Sequence, residues 1–174
     1  MRAFIALDIP DVFQESLVCL SQQLSQNVQG RFMKSDTYHV TLAFLGEIEA
    51  AHTQTIASIL DNLSTRHQPI TLCSVGLSKF GKSHDTTLVL ELKKSSPLIS
   101  LVNDLREQLT AHEIPFDMKT FRPHITLARR ASIPSIHFDC LSFPRNEQTN
   151  SLTLYKSTLS SKGAHYKVLY QTQL

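Results

Sequence analysis

The chain has 174 residues, of which 41% are hydrophobic and 18% charged, and its formal net charge at pH 7 is +2. A chain of this length buries a sizeable core as one domain, and its composition excludes a disordered acidic or basic tail. The five glycines are too scattered for a Walker loop or a dinucleotide-binding fingerprint, both of which need glycines within a few residues of one another.

The N-terminal segment and the cysteines indicate the compartment. An apolar stretch at 3–7 is cut off by Asp8 and Pro10, so it is shorter than the apolar region of a signal peptide or a membrane span. The three cysteines have no CxxC spacing, which predicts neither a disulfide framework nor a zinc site. We therefore expect a cytoplasmic protein with no membrane partner and no metal.

The apolar pattern predicts strands and helices along the whole chain. An apolar run at 2–8 predicts a buried strand, and helical spacing predicts helices at 11–27, 50–63 and 97–112. Asp11 is the expected N-cap of the first helix, and Pro97 suits the first turn of the third. Further strands are predicted at 38–45, 70–77, 86–92, 124–128, 151–159 and 165–171, with turns at 79–83 and 160–163.

One five-residue motif occurs twice. His39-Val-Thr-Leu-Ala43 and His124-Ile-Thr-Leu-Ala128 differ only in Val for Ile and lie 85 positions apart. Each copy follows a predicted strand and helix, so the repeat predicts a single domain, residues 1–174, built of two similar lobes about a pseudo-two-fold axis. Such an axis would bring the two motifs face to face.

The repeated motif carries chemistry. Side chains alternate along a strand, so the histidine and threonine of each motif share one face while the apolar residues between them face a core. Two converging imidazoles suit paired general acid–base catalysis near neutral pH. The threonine hydroxyls donate hydrogen bonds without adding charge, which suits the non-bridging oxygens of a phosphate. Either imidazole can serve as the base.

Basic residues near the second motif favour a phosphorylated substrate. No acidic residue lies between Met118 and Phe138, and none follows Glu147, so both stretches are electropositive. Strand parity places Arg130 on the same face as the second motif's histidine, whereas a bulge at the end of the strand would bring in Arg129 instead. Either guanidinium can bind phosphate oxygens in a bidentate manner.

The chain resembles the two-histidine phosphoesterases, and most closely the bacterial and archaeal RNA 2′,3′-cyclic phosphodiesterases, once named 2′-5′ RNA ligases. The resemblance covers nearly the whole chain. It is carried by 2–10 (RAFIALDIP), 39–46 (HVTLAFLG), 121–129 (FRPHITLAR), 154–159 (LYKSTL) and 164–166 (AHY).

The resemblance implies site residues and a fold. It implies that the catalytic and phosphate-binding residues are His39, Thr41, His124 and Thr126. It favours Arg129 over Arg130 at the phosphate and makes Phe4 a candidate for stacking on a base. His165 is a weaker candidate for the cleft, and the other histidines (52, 67, 84, 112 and 137) lack metal-ligand spacing. The implied fold is α+β: two lobes, each an antiparallel sheet with helices outside, around a central cleft.

The implied activity is hydrolysis of an RNA or nucleotide 2′,3′-cyclic phosphate to a 2′-phosphomonoester by a monomer, without metal or cofactor. One alternative is the reverse chemistry, joining tRNA half-molecules through a 2′-5′ linkage. The excess of water over RNA hydroxyls makes that reaction weak unless base pairing holds the ends together. A second alternative is a non-catalytic protein that binds RNA ends.

Overall fold

The structure is a computed structural model that describes residues 1–82, 85–133, 140–160 and 163–174. His84, His137 and part of the predicted turn at 160–163 lie outside the described residues. The elements in chain order are β1 (Arg2–Asp8), α1 (Asp11–Ser25), β2 (Gln29–Phe32), a 3₁₀ turn (Ser35–Thr37), β3 (His39–Glu47), α2 (His52–Ser64), β4 (Ile70–Leu72), β5 (Ser74–Phe80), β6 (Thr87–Leu92), α3 (Ser96–Ala111), β7 (His124–Ser132), β8 (Glu147–Thr149), β9 (Ser151–Ser160) and β10 (Gly163–Gln173).

The strands form two four-stranded sheets, with orders β10-β9-β1-β3 and β2-β7-β6-β5, and a small sheet of β4 and β8. All neighbouring strands are antiparallel. The predicted α+β class with antiparallel sheets is therefore confirmed. β1 and β3 in one sheet are antiparallel neighbours, as are β6 and β7 in the other.

The three helices form as their apolar spacing predicts, and each buries one face. The apolar side chains of α1 at 13, 17, 20 and 24 are fully buried, and Pro97 stands in the first turn of α3. The predicted N-cap is shifted by one residue, because α1 begins at Asp11 itself and Pro10 occupies the cap position. No helix in the described part of the chain is long and apolar enough to cross a membrane.

Three strand predictions need correction. The predicted strand at 70–77 is two strands, β4 and β5, which belong to different sheets. The predicted turn at 79–83 begins later, because Phe80 still pairs with Thr87 of β6. β2 and β8 are missing from the prediction because they are short, and most of their side chains are not buried, so they lack the apolar alternation that marks a strand.

The two halves of the chain exchange short segments. β2 follows the helix of the first half but pairs with β7 of the second half. In return, the segment after α3 reaches the first half, where the Asp117 amide donates to the Phe44 carbonyl of β3 at 2.8 Å. Each histidine strand is therefore flanked by a segment from the other half, which draws both motifs toward the same side of the molecule.

Candidate active site

A cleft of about 440 Å³ lies between the two large sheets and is lined by both repeated motifs. We call it the central cleft. β3 contributes His39, Thr41 and Phe44, and β7 contributes His124, Thr126 and Arg129. The other walls include Arg2, Phe4, Arg31, Phe80, Thr87, Ser157, Leu159, Ala164 and Tyr166. The structure thus brings together the two predicted imidazole–hydroxyl pairs.

Both imidazoles are held in the same way. The Nδ1 atom of His39 lies 2.8 Å from the carbonyl oxygen of Thr37, and that of His124 lies 2.6 Å from the carbonyl oxygen of Arg122. In each case the partner stands two residues earlier in the chain. A carbonyl oxygen accepts only, so Nδ1 of each ring carries the proton. Among the described residues neither Nε2 has a hydrogen-bond partner, so each can take or deliver a proton in the cleft that both histidines line.

Burial keeps both imidazoles neutral in the free protein. It lowers the pKa of His39 from its ordinary value of 6.5 to about 4, against the opposing effect of the Thr37 carbonyl. The pKa of His124 is also lowered, again mainly by burial. The positive charge of Arg129 lowers the pKa of both rings further. A bound anion would act in the opposite direction, because it stabilises an imidazolium.

Aromatic side chains surround the ring of His39. Phe4 packs against it with ring centroids 4.8 Å apart, and Tyr166 meets it edge-on at 5.2 Å. Phe4 also stacks on Tyr155 at 5.3 Å and is only 2% exposed. The expectation that Phe4 stacks on a base therefore needs correction, because so little of its ring is open to a ligand. It forms the floor under His39 and fixes the position of that ring.

A different group surrounds His124. The ring of Phe80 meets it edge-on with centroids 4.7 Å apart. The guanidinium of Arg122 covers Phe80 at 4.1 Å and pairs with Glu91 at 2.7 Å. Arg122 also provides the carbonyl that holds Nδ1 of His124, so a single residue supports the ring through both its backbone and its side chain.

Each histidine has a carboxylate residue directly opposite it on the neighbouring strand. Asp8 of β1 is paired in register with His39, and Glu91 of β6 with His124. Each carboxylate raises the pKa of its histidine slightly, against the larger effect of burial. The Asp8 carboxylate accepts hydrogen bonds from Ser151 Oγ, Thr153 Oγ1, the Tyr155 hydroxyl and Gln171 Nε2, whereas Glu91 accepts from Arg122.

A bulge decides which arginine faces the cleft. β6 pairs Leu88 with Ala128 and Val89 with Thr126, so Leu127 is skipped. An extra residue in a strand reverses the alternation beyond it. Arg129 therefore lines the cleft, while Arg130 is exposed and does not. The strand-parity expectation for Arg130 is corrected for this reason.

The first half carries the same bulge. β1 pairs Ile5 with Ala43 and Ala6 with Thr41, so Leu42 is skipped just as Leu127 is in β7. Because of this bulge, Phe44 lies on the same face of β3 as His39 and lines the cleft. Phe44 and Arg129 are therefore equivalent positions of the repeat.

Sequence reasoning did not identify Phe44, Phe80 or Tyr166 as cleft residues. Tyr166 belongs to the C-terminal motif at 164–166, and Arg129 donates a hydrogen bond to its hydroxyl. Burial raises the pKa of Tyr166, so that hydroxyl stays protonated at neutral pH. Its neighbour His165 is exposed and lines an adjacent cavity instead. In the described ranges, no group of three or more His, Cys, Asp or Glu side chains could hold a metal ion.

Two antiparallel α+β halves, with two histidine strands meeting at one cleft, are the architecture of a two-histidine phosphoesterase. The model of the 2′-5′ RNA ligase superfamily matches residues 21–138, and the chain belongs to this family.

Similar proteins agree with this assignment. The RNA 2′,3′-cyclic phosphodiesterase of Thermotoga maritima is 29% identical over 182 aligned positions, which cover 99% of this chain and 95% of that protein. The Escherichia coli protein of the same name is 27% identical, with 97% and 93% covered.

Solved structures show the same fold. The protein TT0787 of Thermus thermophilus has a TM-score of 0.83 at 25% identity and covers 100% of this chain and 98% of its own. LigT of Escherichia coli complexed with 3′-AMP has a TM-score of 0.78 at 26% identity, covering 99% and 97%.

Proposed function

We propose that this protein hydrolyses the 2′,3′-cyclic phosphate at the end of an RNA or nucleotide to a 2′-phosphomonoester, without a metal or other cofactor. The observation that carries the proposal is the matched pair of imidazoles at His39 and His124. Each is fixed through Nδ1 and has its Nε2 available in one cleft. The similar proteins named RNA 2′,3′-cyclic phosphodiesterase support this choice of substrate.

The reaction needs one proton acceptor and one donor on opposite sides of phosphorus. In the proposed step a water oxygen bonds to phosphorus while the neutral imidazole takes the water's proton. The bond from phosphorus to the ribose 3′ oxygen breaks, and the protonated imidazole delivers its proton to that oxygen. The products are a 2′-phosphate and a 3′-hydroxyl. Either histidine can be the acid or the base, because both rings are held through Nδ1 in the same way.

The remaining groups of the cleft stabilise the charge on phosphate. Thr41 and Thr126 offer hydroxyl donors, and the guanidinium of Arg129 offers a positive charge beside both imidazoles. Such preorganised donors gain strength where water is excluded. The anionic substrate itself raises the pKa of both histidines. Binding therefore helps to supply the protonated imidazole that burial disfavours in the free protein.

We also infer the organisation of the protein from the exchange of β2 and the Asp117 segment. All 174 residues form one domain of two similar lobes, since each histidine strand is completed by the other half. A monomer carries the whole site on this view, because both motifs come from one chain. A cytoplasmic location suits an RNA substrate and free thiols.

The test is a short RNA with a 2′,3′-cyclic end, incubated with the purified protein in excess chelator. We expect a product with its phosphate on the 2′ oxygen. His39→Ala and His124→Ala should each lower kcat by at least about 100-fold, the effect of losing a general acid or base. His112→Ala is the matched control, because this exposed histidine ends α3 and lies outside the central cleft.

Four outcomes would contradict the proposal. Full turnover by either cleft variant would exclude paired-histidine catalysis. Activity lost in chelator and restored by a divalent cation would exclude the metal-free mechanism. Tight binding of the RNA with no product after prolonged incubation would favour a protein that only binds RNA ends. Joined products from nicked tRNA halves, formed faster than the hydrolysed ones, would favour ligation instead.

A further inference from the structure

A second cavity opens beside the central cleft. Its volume is about 330 Å³, and it shares Arg31, Arg129, Ala164 and Tyr166 with the cleft. We call it the basic cavity. The two spaces are therefore continuous along these four residues, and a ligand bound in the cleft can extend into the basic cavity.

Positive charge dominates the basic cavity. Arg31, Lys34 and Arg129 line it, and Asp36 supplies the one carboxylate among its described residues. Within the described parts of the chain, none of these three cations has a carboxylate within ion-pair distance. Arg31 and Lys34 are exposed, so their charges remain available to an anion.

The repeat supplies an internal comparison. A third cavity, of about 640 Å³, adjoins the opposite side of the cleft and contains Phe44, Phe116 and Lys119. These positions correspond, 85 residues on or back, to Arg129, Arg31 and Lys34 of the basic cavity. We call it the aromatic cavity. Two of its three equivalent positions carry an aromatic ring where the basic cavity carries a guanidinium.

The charges of the aromatic cavity balance, because Arg2 and Lys119 stand against Glu47 and Asp117. Lys119 Nζ lies 3.0 Å from an Asp117 carboxylate oxygen, and Glu47 lies 3.1 Å from the N-terminal ammonium. The two sides of the cleft therefore differ in net charge. Among the described residues, the basic cavity has three cations against one carboxylate, whereas the aromatic cavity has two cations against two carboxylates, together with two phenylalanine rings.

We propose that the basic cavity is a subsite for the phosphodiester on the 5′ side of the terminal nucleotide, so that the preferred substrate is an RNA chain rather than a mononucleotide. This proposal rests on the proposed function. With the cyclic phosphate between the histidines, the next anion of an RNA is one nucleoside away, on the 5′ oxygen. Arg31 and Arg129, which face both spaces, are placed to guide the chain from one to the other. Lysine and arginine contacts to successive phosphates are a general basis of RNA affinity.

The test compares two substrates: a nucleoside 2′,3′-cyclic phosphate and a dinucleotide that ends in the same cyclic nucleotide. We expect the wild-type protein to show a kcat/KM at least about tenfold higher for the dinucleotide at low salt, and a smaller preference at high salt because screening weakens the contact. Lys34→Gln should remove most of this preference without changing kcat/KM for the mononucleotide.

The chain offers two matched controls, one that removes a positive charge and one that removes a negative charge. Lys119→Gln removes the equivalent lysine of the aromatic cavity and should leave the preference intact. Asp36→Asn removes the one carboxylate of the basic cavity and should increase the preference about twofold, since a repulsion is relieved. Thermal unfolding of each variant establishes that it is folded, and these exposed side chains leave the core untouched.

The outcomes separate this proposal from the one on which it rests. Equal kcat/KM for the two substrates, with good turnover of both, would overturn the subsite and leave the hydrolysis intact. An equal loss of preference in Lys34→Gln and Lys119→Gln would also overturn it, because net charge alone would then explain the effect. Failure of the wild-type protein to turn over either substrate would overturn the proposed function instead.

Discussion

The two halves of the central cleft are alike at the histidines and unlike around them. His39 and His124 are equivalent in strand position, in the bulge that follows, and in the backbone carbonyl that holds Nδ1. Beyond the bulge the halves diverge, with Phe44 on one side and Arg129 on the other. The positions of the two histidines are thus symmetric, whereas the cleft surface around them is not.

The proposed reaction accounts for this difference. Proton transfer at a phosphorus atom needs a similar group on each of two opposite sides, which a duplicated strand provides. A nucleotide is not symmetric, because it has a charged phosphate at one end and an apolar base at the other. In the proposed complex, the arginine of one half would face the phosphate and the phenylalanine of the other half would face the base. Substitutions in each half show how far that half has specialised.

Arg129→Gln should have the largest effect. It removes the positive charge that lies beside both imidazoles and would face the phosphate. Loss of one such preorganised donor costs about 100- to 1000-fold in kcat. Steady-state kinetics on a nucleoside 2′,3′-cyclic phosphate measures the effect.

Arg130→Gln is the control for that change. It makes the same substitution one residue along, at an exposed side chain outside the cleft, and we expect kcat within about twofold of wild type, as for surface substitutions in general. A larger loss in Arg130→Gln than in Arg129→Gln would mean that the bulge does not orient the strand as described.

The two carboxylates opposite the histidines should differ in their contribution to stability. Asp8 accepts four side-chain hydrogen bonds within its sheet, so Asp8→Asn sets an amide N–H₂ group against donors. We expect a loss of about 2 kcal/mol in the free energy of unfolding. Glu91→Gln breaks a more exposed pair with Arg122 and should cost less than about 1 kcal/mol. Urea unfolding of both variants measures these values, and equal losses would contradict the comparison.

The sequence predicts the helices, the long strands and the repeated motif of this molecule well, for a physical reason. Apolar periodicity places the three helices and the long strands because burial drives their formation. The repeated motif places the imidazole–hydroxyl pairs because side-chain alternation is a local property of a strand. In both cases the signal lies within a few consecutive residues.

Features that depend on pairing between distant segments could not be predicted in this way. The bulges at Leu42 and Leu127 are visible only in the register with β1 and β6, so parity alone favours Arg130. β2 is too short and too exposed to be recognised without the strand it joins. The burial of Phe4 depends on Tyr155 and Tyr166, which are remote in sequence.

Phe44→Leu should have a moderate effect on binding. Phe44 is 43% exposed at the rim of the cleft, and stacking of a base on an aromatic ring contributes about 1–3 kcal/mol. We expect KM for a nucleoside 2′,3′-cyclic phosphate to rise about tenfold with kcat little changed. Phe143→Leu is the control, since Phe143 is also 43% exposed but lies outside the cleft. Unchanged KM in Phe44→Leu would exclude this ring as the base platform.

The smallest expected effect is a displacement of the pH optimum. Burial lowers the pKa of His39 to about 4 and that of His124 below 6.5. The profile of kcat/KM reports the free protein, in which one ring must be neutral and the other protonated, so its maximum should lie below pH 6.5. Bound phosphate raises the pKa of both rings, so the maximum of kcat should lie at higher pH, by about one unit. Initial rates from pH 4 to 9 measure both profiles. If the maxima of kcat/KM and kcat lie at the same pH, the substrate anion does not approach the two histidines. A negative charge close to both rings must raise the pKa of both.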